Sequence, residues 1–130
     1  MGQQQLLLIV LGVILVGVAV VLGIQYFGVG AEEGAKDEIT AHNITIGANA
    51  QQWYKKPVAM GGGGNTFVGF ETHFANNLQK LAYSTNGTYA SGTGTATQVV
   101  ITGTPIQTDY DWTVITTVQI DTIMTTITPN

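Results

Sequence analysis

Residues 6–24 read LLLIVLGVILVGVAVVLGI, nineteen consecutive positions without a charge, an amide or a hydroxyl. At about 1.5 Å per residue the run spans about 28 Å as a helix, the hydrocarbon thickness of a bilayer. No other segment of this 130-residue chain competes with it. Two environments suit such a helix: lipid, or a bundle made of its own copies.

The remaining composition narrows the classes. The length allows one compact domain beside the apolar helix. Charged residues are 9% and the formal net charge is −4. The only basic residues are Lys36, Lys55, Lys56 and Lys80, with no arginine, so nucleic acid is a poor partner, since phosphate binding needs clustered Lys and Arg. There is no cysteine, hence no disulfide framework and no thiolate metal site. Seventeen glycines, and threonines crowded into the second half, suit an uncharged β-rich domain facing outward.

The first 54 residues read as one long helix of roughly 80 Å. Val and Ile form helices indifferently in water, but in lipid or a packed bundle the backbone must satisfy itself and the helix wins. The glycines at 12, 17 and 23 suit close helix packing. Glycine is densest at Gly23, Gly28, Gly30 and Gly34, so any bend is expected there. From Ala31 the helix turns polar. Glu32 and Lys36 stand i, i+4 in the favourable order. Ile39, His42, Ile46, Ala50 and Trp53 recur at steps of three or four, one helical face, with Thr40, Asn43, Gly47 and Gln51 on another. Lys55 and Lys56 complement the C-terminal dipole and Pro57 closes the helix.

Val58–Asn65, VAMGGGGN, reads as a flexible connection from helix to sheet, and lacks the Lys-Ser/Thr of a phosphate-binding loop. Thr66–Phe70 is expected as a short strand, and Phe74–Leu81 as a helical turn with Phe74, Leu78 and Leu81 on one face. Thr88–Ser91 and Ala96–Thr102 make a hairpin, and Gly103-Thr104-Pro105 breaks the pattern. Residues 112–121 alternate at the period of a half-buried strand, and Ile123–Thr128 is the last strand. The fold class expected is α+β: a long N-terminal α-helix, apolar in its first half, packed in its second half on an antiparallel sheet of about four strands. The expected division is an apolar helix over 1–30, an amphipathic helix over 31–57 and a β-rich head over 58–130. A head of about 75 residues is marginal alone, and the face at Ile39, Ile46, Ala50 and Trp53 is expected to complete its core.

Met1-Gly2-Gln3-Gln4-Gln5 followed by Leu6-Leu7-Leu8-Ile9-Val10, together with the ANAQQWYKKP segment and the glycine-rich loop after it, resembles a type IV pilin. The resemblance implies a pilin-like fold and a prepilin peptidase that removes a short basic leader. Met1 would be the mature, N-methylated residue, which accounts for the lack of positive charge before the apolar run. A second register, with Gln3 as the mature start, stays open. In pilins the fifth mature position is usually Glu, pairing with the terminal amine of a neighbouring subunit. Here it is Gln5, which cannot neutralise an ammonium but can accept a hydrogen bond from it. The resemblance further implies a homopolymer with helical symmetry, an inner-membrane bilayer as host before assembly, and pilus assembly machinery as partner. The filament core would be Leu6, Leu7, Leu8, Ile9, Val10, Leu11, Ile14, Leu15, Val18 and Leu22. Adhesion, motility, DNA uptake and conduction all remain open as the role of the fibre.

Catalytic chemistry is not expected, nor any cofactor. His42 and His73 have no second ligand at metal spacing, Ser84 and Ser91 lie in turns without a nucleophile elbow, and Asp109, Asp111 and Asp121 match no EF-hand loop. Tyr26, Phe27, Trp53 and Tyr54 are expected to pack where helix meets head. Asn86 and Asn43 begin formal sequons and are candidate glycosylation acceptors. The expected function is a structural subunit of an extracellular filament. Its rivals are a minor pilin or pseudopilin, and a monomeric membrane-anchored binding module.

Overall fold

The structure, a computed structural model, describes residues 2–129. Helix α1 runs Gly2–Lys55. The chain divides into two compact units, Met1–Gly34 and Ala35–Asn130.

In the first unit every described residue from Gly2 to Ala31 is exposed. The apolar run therefore has no partner within its own unit.

The second unit is the head. Its order is residues 35–55 of α1, a 3-10 turn at Val58–Met60, helix α2 (Phe70–Asn77), a 3-10 turn at Gln79–Leu81, and four strands. These are β1 (Gly87–Ser91), β2 (Gln98–Pro105), β3 (Trp112–Gln119) and β4 (Ile123–Pro129), antiparallel in the order β1-β2-β3-β4. This is the α+β arrangement expected, a helix packed on a small antiparallel sheet. The registers Val99↔Val118, Ile101↔Thr116 and Gly103↔Val114 place one residue set of β2 and β3 on the buried face. Period-two alternation makes that assignment unambiguous, because a one-residue slip would turn the set to solvent. The core joins Ile39, Ile46, Ala50, Trp53 and Tyr54 of α1 to Phe67, Phe70, Phe74, Tyr89, Val99, Ile101, Trp112, Val114 and Val118.

The helix face differs from the expected one at three residues. Asn43 and Gly47 are buried with Ile39 and Ile46, whereas His42 is only half-buried. Close approach explains the change. A Cβ on Gly47 would stand 3.0 Å from Val118 Cγ2, and one on Gly103 would stand 2.6 Å from Ile39 Cγ2 and 3.0 Å from Asn43 Oδ1. Helix and sheet meet at glycine notches, Gly47 on the helix and Gly87 and Gly103 on the sheet. Gly103 also explains why β2 continues through Gly103-Thr104-Pro105 instead of breaking. The glycine admits the helix, and Pro105, which has no N–H to offer, sits at the strand's last position. Asn43 Nδ2 donates to the Val114 carbonyl at 3.0 Å, tying α1 to β3.

Two further expectations are corrected. Thr66–Phe70 is not a strand: Phe67 and Phe70 are both fully buried, and Gly69 has φ +92°, which turns the chain into α2. Helix α2 accordingly begins four residues before the expected Phe74. The glycine loop is not a slack tether to the sheet. Gly63 N–H donates to Trp53 O at 2.8 Å, Gly64 N–H to Lys56 O at 3.0 Å and Asn65 N–H to Tyr54 O at 2.8 Å. Carbonyls left over at a helix C-terminus need donors, and here the loop backbone folds onto the last turn to supply them. The fit requires glycine: a Cβ on Gly63 would lie 2.3 Å from Thr66 O and 2.6 Å from Trp53 Cζ3.

Candidate functional site

The residues named for a filament core stand together on the first unit. Leu6, Leu7, Leu8, Ile9, Val10, Leu11, Ile14, Leu15, Val18 and Leu22 are all exposed, Leu15 by 61% and Val18 by 53%. The best 18-residue window of α1 has a mean hydropathy of 3.2 and none of it is buried, so the helix is long and apolar enough to cross a membrane. At about 25 cal/mol per Å2, an exposed Leu or Val gives up about 1.5 kcal/mol or more that burial would return. Fifteen Leu, Ile and Val residues within nineteen positions are not a stable water-facing surface. Gln5 lies in the same exposed helix. Met1 lies outside the described residues.

The head-packing residues fall where the sequence placed them: Ile39, Ile46 and Ala50 have no exposure and Trp53 has 9%. The aromatic expectation divides. Trp53 and Tyr54 are core, Tyr54 packing on Phe67 at 4.6 Å between ring centroids. Tyr26 and Phe27 are instead 76% and 81% exposed, on the first unit rather than at a junction. The two sequons are both engaged. Asn43 has no exposure and its amide nitrogen is bonded to Val114 O, so a sugar on that nitrogen requires the head to open. Asn86 is half-buried and its amide nitrogen donates to the Glu38 carboxylate.

His42 stacks on Tyr89 at 4.0 Å between centroids and its Nε2 lies 2.7 Å from Leu81 O. Tyr89 OH lies 2.8 Å from Ser84 Oγ. Burial pushes the Tyr89 phenol up from its ordinary range. These contacts lock the segment after α2 against β1, whose outer edge also carries the Tyr83↔Thr88 bridge. Asp109, Asp111 and Asp121 are exposed, and among the described residues no three His, Asp or Glu side chains gather closely enough to hold a metal ion.

One constellation was not foreseen. Asn49, Gln52, Trp53 and Lys56 stand at i, i+3, i+4 and i+7 along the end of α1 and share one face. With His73 and Leu78 they line a cavity of about 140 Å3. Trp53 and His73 lie 5.5 Å apart between ring centroids. Burial, and secondarily the Lys56 charge, hold the His73 imidazole below its ordinary value. The i, i+3, i+4, i+7 spacing was visible in the sequence, but the arrival of His73 opposite it depends on the turn at Gly69.

Comparison with protein-family models, with curated proteins and with solved structures finds no match to this chain.

Proposed function

We propose that the chain is the repeating structural subunit of a type IV pilus or a closely related extracellular filament, assembled through its apolar N-terminal helix. One observation carries the reading: residues 6–24 form a helix of bilayer length that is exposed on every side. Before assembly this helix would rest in the membrane as a single span. Assembly would move it from lipid into a bundle of identical helices. Lipid tails are already apolar, so the gain comes from side-chain packing and polar contacts near the N-terminus, not from release of water. In that bundle Gln5 would accept a hydrogen bond from a neighbour's terminal amine, a weaker restraint than a carboxylate gives. A subunit whose stalk meets one neighbour and whose head meets another makes heterologous contacts, which propagate into open helical fibres. Catalysis has no part in this reading.

Electron microscopy of the purified full chain tests it. Thin filaments with the apolar helices at the centre and the heads outside are expected. Particles that remain single and detergent-bound at every concentration would sink the filament reading in favour of an anchored binding module.

A further inference from the structure

Strand β4 ends the sheet without the protections that edges usually carry. An edge strand presents unpaired N–H and C=O groups that template pairing with another strand, and folded proteins blunt it with a charge, a bulge, a proline or a short length. β4 has seven residues, and its one proline, Pro129, stands at the last position. Its register with β3 runs unbroken from Ile123↔Val118 to Pro129↔Trp112, so no bulge turns the edge away. Neither β3 nor β4 holds a charged residue, in a chain whose net charge is −4. Met124 and Ile127, on opposite faces of the strand, are 59% and 43% exposed. The other edge of the sheet is closed. Beside β1, Tyr89 N–H donates to Ala82 O at 2.8 Å and Ser84 N–H donates to Gly87 O at 2.9 Å. A head therefore cannot add its β4 to the β1 of another head.

We propose that β4 pairs with β4 of a second copy of this chain, antiparallel and centred on Thr126, joining two four-stranded sheets into one. Full overlap of the two strands sets that register. Thr126 then faces its own copy, Met124 faces Thr128, and Ile127 faces Thr125, so each exposed apolar side chain of one strand lies against a threonine of the other. No charge falls within the paired strands. Like charges approach at the ends, where Asp121 of one copy comes within about 10 Å of Asp111 of the other, two strands across, a separation that physiological salt screens. Seven residues of edge are about 24 Å long, and over a layer roughly 10 Å thick they bury about 240 Å2 a side. A stable interface buries about 800 Å2 a side, so a single pair is short-lived. Such a two-fold contact does not relate neighbours within one fibre, whose subunits repeat head to tail. In the filament reading, on which this consequence alone rests, it joins the heads of two fibres lying side by side, where many weak pairs hold together.

The chain has no cysteine, so one introduced thiol reports the contact. Thr126→Cys and Ala90→Cys, both at exposed positions, are compared as full chains in detergent micelles under mild oxidation at physiological salt. Thr126→Cys is expected to form disulfide-linked dimers about tenfold faster, because directly opposed strand positions bring two thiols into disulfide geometry, whereas Ala90 lies on β1. Two companion variants, each built on Thr126→Cys, test the register. Met124→Lys with Thr128→Lys sets lysine opposite lysine twice and is expected to slow the cross-link about tenfold, whereas Met124→Lys with Thr128→Glu sets lysine opposite glutamate twice and should retain it. Met124 and Thr128 are exposed, so the melting temperatures of the two variants should match. Equal rates from Thr126→Cys and Ala90→Cys, or equal rates from the two companion variants, would overturn the proposal. The micelle experiment stands whether or not the chain forms filaments: cross-linking by a chain that never forms fibres would remove the filament reading and keep the strand pairing.

Discussion

Two glycines two residues apart make opposite demands. Gly61 has φ +84° and open space around its Cβ position, whereas Gly63 has its Cβ position filled by the Thr66 carbonyl and the Trp53 ring. Gly61→Ala is expected to cost about 1 kcal/mol, the left-handed backbone penalty of an L-residue. Gly63→Ala should cost about 3 kcal/mol, because backbone and a buried indole must both move. Urea unfolding of the head followed by circular dichroism separates the two, and equal losses would show that the loop is not packed on the helix end. Glu71 makes a pH-dependent contribution. The Gly94 N–H is the largest of the contacts that hold its carboxyl below the ordinary 4.5. The folded head therefore favours the charged form: this stabilisation is complete above pH 4.5 and is lost as the pH falls through the lowered value. His73, held down by burial and by Lys56, also favours its unprotonated form when folded, and its contribution begins to fall below pH 6.5. Glu71→Gln should therefore flatten the stability curve below pH 4.5 and leave the decline that starts near pH 6.5. A variant with the wild-type slope below pH 4.5 would contradict the Gly94 contact.

At the level of elements, the last turns of α1 belong to the head and form one wall of its core. Ile46 has no exposure, while Ile44, two positions away on the same helix, is 44% exposed. Ile46→Ala is expected to destabilise the head by about 3 kcal/mol through lost burial and an unfilled cavity. Ile44→Ala should stay within about 0.5 kcal/mol. Thermal melts of the two variants check the pair, and comparable losses would mean that the face has been misassigned. The sheet has one closed and one open edge. Beyond β1, Ala82 O accepts from Tyr89 N–H at 2.8 Å and Ser84 N–H donates to Gly87 O at 2.9 Å, whereas β4 pairs on one side only. The Gln119 N–H at the end of β3 donates to Thr122 O at 2.8 Å and closes the tight turn into β4.

For the molecule as a whole, the two units answer to different solvents. The first has apolar side chains on every face and the second buries its apolar residues in a core of its own. In the filament reading, Leu15→Lys separates anchoring from assembly. One lysine at the centre of a membrane helix costs about 3 kcal/mol, which the remaining apolar residues of the run exceed, so the variant should still fractionate with membranes. Repeated in every subunit of a bundle, the same charge meets its own copies, and filaments should be absent by electron microscopy. Filaments of ordinary appearance from Leu15→Lys would mean that this helix does not lie in the fibre's core.

The apolar helix, the amphipathic stripe after it and the last two strands were legible in the order of residues, because each rests on a local period: nineteen apolar positions, steps of three and four, and strict alternation. Contacts distant in sequence decided the rest. Asn43 and Gly47 joined the buried face because Gly103 and Val118 approach there. Gly63, Gly64 and Asn65 became a helix cap because the carbonyls of Trp53, Lys56 and Tyr54 needed donors. His73 came opposite Lys56 because Gly69 turns the chain. Periodicity assigns a residue to a face of its own element, but what stands across from that face is set by the path of the whole chain.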